Sequence, residues 1–277
     1  LNWAITSRTG TITTERKTPT PSAPGYDSAT TAWVAAVGSG NVSIPRKDLI
    51  DALIVTLKSG GVWTKLDRLW DFAAENTTCA LVDLKALATA TAVNSPTFTT
   101  DRGYTGNGST SYIDTNFNPG TGTPNYTGNA ACFGIWDITT SPNSGTVPIG
   151  INYFGHYSEG TIHYPDGNSY WRVNTSGAGL AVAYPGPGLH MAIRSAAGND
   201  QLYRNGSSIV TSTTSATALT ATNFYVCARN NDSGTPTAGS FSTDQIAAVV
   251  FGGTLSSTEH GTLYTALRTY MTAVGVP

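Results

Sequence analysis

The sequence predicts a mainly β protein: an antiparallel sandwich with helical stretches before it and at its end. Three observations lead there. From Asp67 onward the chain breaks into short apolar alternations punctuated by Gly, Asn, Pro and Asp, the pattern of many short strands joined by tight turns. Two other stretches repeat apolar residues every three or four positions, which is helical spacing. The charged fraction is 12%, about half the globular average of roughly 25%, and Ser, Thr, Gly and Asn take up the surface that charges leave. At 28.9 kDa such a chain can bury roughly three quarters of its unfolded surface, enough for one large core.

Residues 1–25 form an extended Ser/Thr/Pro-rich arm ending in Thr18-Pro19-Thr20-Pro21 and Ala23-Pro24-Gly25. Alternating Thr and Pro favours polyproline-like chain and supplies little for a core. Such an arm is expected to order only by lying on its own domain or on a neighbouring subunit. Residues 26–66 read as a helical segment. Ala29–Val37 is Ala-rich, with Trp33 and Val37 four apart. Ser43 then precedes Ile44-Pro45 as an N-cap with proline in the first turn. Leu49, Leu53 and Leu57, with Ile50 and Ile54, form one apolar stripe that Gly60-Gly61 stops.

Residues 67–277 carry the strand texture. Candidates are 69–73, 111–117, 131–138, 189–194, 201–204, 224–229 and 245–251. Asn205-Gly206 between Leu202-Tyr203 and Ile209-Val210 predicts a hairpin, because Asn-Gly tolerates the positive φ angles of a type I′ turn. Ser256-Ser257-Thr258-Glu259 is a capping box. The helix it opens aligns Leu263, Leu267, Tyr270 and Val274 on one face, with Gly275 past its end.

Several partners are disfavoured by charge and pattern. A net charge of −2 and a pI near 6.1 give no electrostatic footprint for nucleic acid or anionic membrane. No apolar run approaches the roughly 18 residues that span a bilayer. The opening residues lack both an initiator Met and the basic-then-apolar pattern of a signal peptide. Cys79, Cys132 and Cys227 are far apart with no CxxC spacing, so three buried thiols are expected rather than a zinc site or a disulfide framework.

Two segments carry a family resemblance. Tyr104-Thr105-Gly106-Asn107-Gly108-Ser109-Thr110-Ser111-Tyr112-Ile113-Asp114 resembles the opening strand pair of concanavalin A-like, laminin-G-like domains. Ile246–Phe251, then Leu255-Ser256-Ser257-Thr258-Glu259 and Leu263-Tyr264, is similar to their closing strand and helix, with Leu202-Tyr203-Arg204-Asn205-Gly206 as the hairpin between. The subtype resembles jelly-roll domains on tailed-bacteriophage virion proteins, which place an Ala/Leu-rich helical segment ahead of the sandwich. The resemblance implies a concanavalin A-like antiparallel jelly-roll sandwich with an N-terminal helical segment and a C-terminal amphipathic helix. It further implies a non-enzymatic virion surface protein, a capsid decoration or fibre component. Residues 1–25 would hold other virion structural proteins, and the assembly would be homo-oligomeric. Alternatives on the same fold are a carbohydrate-binding module for bacterial surface polysaccharide, and a polysaccharide hydrolase or lyase.

Catalytic patterns are absent from the sequence. The glutamates Glu15, Glu75, Glu159 and Glu259 share no strand as paired carboxylates. Neither a G-x-S-x-G elbow, an H-E-x-x-H helix nor a D-x-D-x-D-G loop occurs. No catalytic residue, metal ligand or cofactor is therefore assigned. The remaining signal is aromatic, in Tyr153-Phe154-Gly155-His156-Tyr157 and His163–Arg172. Flat rings beside Asn, Asp and Arg suit sugar C–H faces and hydroxyls. Tyr157, Asp166, Asn168, Tyr170 and Trp171 are the expected glycan- or partner-binding residues. The competing expectation is that Phe154 and Trp171 fill the core.

Overall fold

The computed structural model describes residues 25–140, 145–161 and 164–277, so the expected anchoring arm lies almost wholly outside the described residues. Helix α1 (Ser28–Val37) is capped by Asp27, whose carboxylate accepts from the Ala29 N–H. Helix α2 (Ile44–Ser59) starts at the expected Ser43 cap, with Pro45 in its first turn, and buries Ile50, Leu53, Ile54 and Leu57. The short α3 (Thr77–Leu81) had no apolar stripe to announce it, and is capped by Asn76. Helix α4 (Ser257–Ala273) has the full reciprocal capping box between Ser256 and Glu259.

Among the described residues there are seventeen strands, numbered in chain order. The first five are β1 (Leu66–Asp71), β2 (Thr91–Val93), β3 (Thr97–Thr99), β4 (Gly103–Thr105) and β5 (Tyr112–Asp114). The middle group is β6 (Ala131–Asp137), β7 (Ile149–Tyr153), β8 (His156–Thr161), β9 (Asn168–Thr175) and β10 (Leu180–Ala183). Next come β11 (Gly188–Ala196), β12 (Asn199–Arg204), β13 (Ser207–Ser212) and β14 (Tyr225–Val226). The last are β15 (Arg229–Asp232), β16 (Pro236–Gly239) and β17 (Gln245–Gly252). One sheet runs β13-β12-β11-β6-β17-β4-β3, with β1 also on β17; the other runs β10-β9-β8-β7-β14-β5-β2, with β15 and β16 attached at β7. This is the expected mainly β antiparallel sandwich of two sheets, with its N-terminal helices and its C-terminal helix.

Among the described residues the pairing is antiparallel except where β15 runs parallel to β7. The cause is local. The expected strand 224–229 is broken at Cys227, which has φ 64°, so β14 pairs antiparallel with β7 and β15 then turns back along it. The Asn205-Gly206 hairpin forms as expected, with φ 49° and 80° at its two turn residues. All three cysteines are buried and free.

The two sheets differ in what covers them. In β6, Phe133 faces the opposite sheet, with its ring 5.9 Å from Trp171 and 5.3 Å from Phe224. From the other face of the same strand Trp136 stacks on Tyr264 of α4 at 5.9 Å, and Arg268 lies over its ring. Covered on both sides, β6 is buried at every position, which explains its continuous apolar run where a half-exposed strand would alternate. By contrast β9 alternates: Ser169, Trp171 and Val173 are buried while Asn168, Tyr170 and Arg172 are partly exposed. Among the described residues, no helix covers the outer face of the nine-stranded sheet at β9, and that face is open.

Polar groups cross the sandwich interior. Arg194 on β11 is fully buried and donates from Nε to the Val173 carbonyl of the facing sheet at 2.9 Å. Its other nitrogens reach the Ala197 and Thr214 carbonyls and the Asp200 carboxylate. Replacing Arg194 by Leu strands these carbonyls and the Asp200 carboxylate, and is expected to cost about 3–5 kcal/mol. Urea unfolding measures it; a loss under about 1 kcal/mol would mean water replaces the guanidinium.

His190, also on β11, is fully buried and stacks on Trp171 at 5.8 Å with the rings 4° from parallel. Its Nε2 lies 3.0 Å from the Gly186 carbonyl, which fixes the proton there, and burial pulls the imidazole down to about 4. The unfolded chain therefore takes a proton first as pH falls. Stability from His190 is complete above about 6.5 and is lost down to about 4, amounting to about 3 kcal/mol. Relative to the unaltered chain, His190→Gln should flatten the fall of the urea midpoint between those pH values. An identical pH slope in both proteins would show that another group carries it.

Candidate functional site

The open face of the nine-stranded sheet holds a cleft of about 380 Å³ whose walls include Glu159, Tyr164, Tyr170, Arg172 and Arg229. Its floor is set by strand register. Arg229 on β15 and Glu159 on β8 both pair with Gly150 on β7, and Arg172 on β9 pairs with Glu159. Residues in register across neighbouring strands point to the same face, so one row reads Arg229, Gly150, Glu159, Arg172.

Gly150 is the reason the row closes on itself. It puts no side chain between β8 and β15, and a Cβ added there would lie 2.6 Å from the Glu159 Cβ. Across the gap Arg229 Nη1 donates to Glu159 Oε2 at 2.9 Å, and Arg172 Nη1 donates to Oε1 at 2.8 Å. Arg229 Nε also donates to Asn231 Oδ1 at 2.8 Å.

A bulge aims Arg172. Between Glu159↔Arg172 and Tyr157↔Thr175 the β9 strand carries one extra residue, with Asn174 at φ 46°. Bulges re-aim side chains in this way. The Asn174 amide is held inside by Ser158, Tyr126 and the Thr127 carbonyl. As a result the Arg172 guanidinium sits 4.6 Å above the Tyr157 ring, with that of Arg229 5.8 Å from the same ring.

The sequence-derived site is therefore partly assembled. Tyr170 forms a wall of the cleft, its ring 5.4 Å from the exposed ring of Tyr164. Tyr157 supports the two guanidiniums from below. Asp166 lies at the rim, accepting from the Tyr170 hydroxyl at 2.5 Å and from the Asn168 N–H at 2.9 Å. The Tyr170 hydrogen bond holds the Asp166 carboxyl below its ordinary range. Asn168 is tied into the same corner, its carbonyl accepting from Tyr164 N–H at 2.8 Å.

Trp171 requires a correction. It is fully buried on the inner face, between Phe133 and His190, with Nε1 bonded to Ser169 Oγ. Adjacent residues of a strand point to opposite faces, so Tyr170 and Trp171 cannot both line one surface. Phe154 goes the other way: it is 58% exposed at the β7–β8 turn, with φ 49°.

Glu159, Arg172 and Arg229 are the functional candidates that sequence reasoning missed. Arg172 was within reach, since it shares a face with Tyr170 by alternation. Gly150 inside an apolar strand also marks close approach of neighbours. Arg229 carried no signal, being 70 residues from Glu159 and beyond a backbone reversal.

No protein-family model matches the chain, and no curated protein sequence does. Solved structures do. A point mutant of HCR/D aligns with a TM-score of 0.52 at 14% identity, over 74% of this chain and 53% of that one. The botulinum neurotoxin serotype D binding domain aligns at 0.51 and 11%, over 73% and 52% respectively. The receptor binding domain of the C/D mosaic serotype gives 0.50 and 12%, over 73% and 51%. The chain thus spans about half the length of these structures, and at such identities the likeness establishes a β-sandwich fold.

Proposed function

We propose that the chain is a non-enzymatic carbohydrate-binding protein that engages a surface polysaccharide through the cleft on its open sheet. The observation that carries this reading is the cleft itself: two tyrosine rings beside a fixed array of guanidinium and carboxylate groups. Rings supply flat apolar area for pyranose faces, and the charged array supplies directed hydrogen bonds to hydroxyls. Its volume falls within the range of roughly 300–1,000 Å³ usual for small-molecule sites. The resemblance to receptor-binding sandwiches in fold is compatible with this reading.

The carboxylates favour binding over hydrolysis. Both oxygens of Glu159 accept from arginines, and Asp166 is held below its ordinary range. A glycosidase acid needs the opposite shift.

Calorimetry against a panel of bacterial surface polysaccharides tests the reading, with Tyr170→Ala as the control. Trp171→Ala is unsuited, because emptying that core position costs about 3–5 kcal/mol. Saturable binding that weakens about tenfold in Tyr170→Ala at unchanged Tm is expected, the scale of one lost aromatic contact. Binding unaffected by Tyr170→Ala would place the site elsewhere, and release of new reducing ends would make the protein a hydrolase.

The sequence resemblance supports a virion setting for this binding, with the sandwich facing outward and residues 1–25 attached to other structural proteins of the particle. Deleting residues 1–25 should then abolish particle association while leaving the urea transition of the sandwich in place. Continued association of the truncated chain would count against the arm as anchor.

A further inference from the structure

Resting on the glycan-binding reading, we propose that the cleft selects an acidic sugar, whose carboxylate is held by Arg172 and Arg229. Two guanidiniums and one carboxylate meet there, which leaves one net positive charge. Their arrangement directs that charge outward. The Glu159 side chain is 6% exposed, whereas those of Arg172 and Arg229 are 29% and 23% exposed. The carboxylate lies beneath, and the guanidiniums form the surface that an entering ligand meets.

The donors are not used up. A guanidinium carries five N–H groups. Arg172 donates to Glu159 from Nη1, and its Nε is sequestered with no partner among the described residues. Arg229 uses Nη1 on Glu159 and Nε on Asn231. Among the described residues Nη2 of neither arginine has a hydrogen-bond partner, which leaves it to pair with a ligand carboxylate, for which planar guanidinium geometry is suited. Asp166 is the other acid nearby, but it is exposed at the rim and already holds the Tyr170 hydroxyl and the Asn168 N–H, so water screens it. The rings of Tyr164 and Tyr170 flank the charge and suit a pyranose face, which an acidic peptide side chain does not offer.

Calorimetry with matched ligands decides the matter. The acidic members are tetragalacturonate and 3′-sialyllactose; the neutral members are methyl-esterified tetragalacturonate and lactose, with poly-glutamate as the peptide alternative. An acidic member is expected to bind at least about tenfold more tightly than its neutral partner. Arg229→Gln should lower that affinity about tenfold. Glu159→Gln should raise it about threefold, because the competing charge is removed while an acceptor oxygen is kept. A merely structural role for Glu159 would lower it.

Equal binding of acidic and neutral members, both weakened by Tyr170→Ala, would overturn the acidic preference and leave the glycan-binding reading intact. Poly-glutamate binding as tightly as the acidic sugars would replace the sugar by a peptide. Absence of saturable binding to either acidic member at millimolar concentration would also overturn the inference, and silence across the surface-polysaccharide panel would remove the underlying reading. Should Arg229→Gln lower Tm, the ester comparison and Glu159→Gln still decide the outcome.

Discussion

A carboxylate held between two guanidiniums across a glycine organises the open face of this sandwich. Glu159 is almost withdrawn from solvent, and a buried charge without partners would cost several kcal/mol. It is tolerated because Arg172 and Arg229 reach it from opposite sides, one from the next strand and one across Gly150. The same bridge ties β8, β9 and β15 to β7, so Tyr170, Arg172 and Arg229 stand on sheet, while Tyr164 comes from the connection between β8 and β9. Groups fixed before the ligand arrives lose little freedom on binding, which is where preorganised sites gain affinity.

The opposite sheet shows why the cleft belongs where it does. Its outer face is occupied by α4, and α2 packs against α4. Arg46 of α2 donates to the Ala73 carbonyl at 2.8 Å and to the Tyr270 hydroxyl of α4 at 2.6 Å, and pairs with Asp101. Asp71 beneath them is pushed up to about 7 by burial. These contacts commit that side to structure. The exposed polar alternation of β9 has no counterpart in β6, and the difference follows from coverage rather than from strand propensity.

Most of the architecture was legible in residues with local meaning. Ser43-Ile44-Pro45, Asn205-Gly206 and Ser256–Glu259 each specify a cap or a turn within four residues, and each forms as expected. The structure departs from expectation where tertiary context decides. Cys227 takes a positive φ that no sequence rule assigns to cysteine, and this reversal creates the parallel β15 and delivers Arg229. The site was half legible for the same reason. Alternation alone separates Tyr170 and Arg172 from Trp171, and a reading that kept strictly to period two would have kept Arg172 and dropped Trp171. The ion pair from Glu159 to Arg229 joins distant segments through sheet order, which one sequence does not reveal.

Glu159 also bears on selectivity. Two guanidiniums side by side with no acceptor between them would repel one another, so neither would hold a fixed position. With Glu159 beneath them, both are oriented and half neutralised, stacked above the Tyr157 ring. One unit of positive charge then faces the cleft, from groups whose geometry is already set. Charge arranged in this way contributes more to discrimination between ligands than to raw affinity. A neutral sugar would leave the outward donors poorly matched, whereas a carboxylate completes them. The internal counter-ion therefore sets how much charge the ligand must bring, and the rings of Tyr164 and Tyr170 set what kind of surface must carry it.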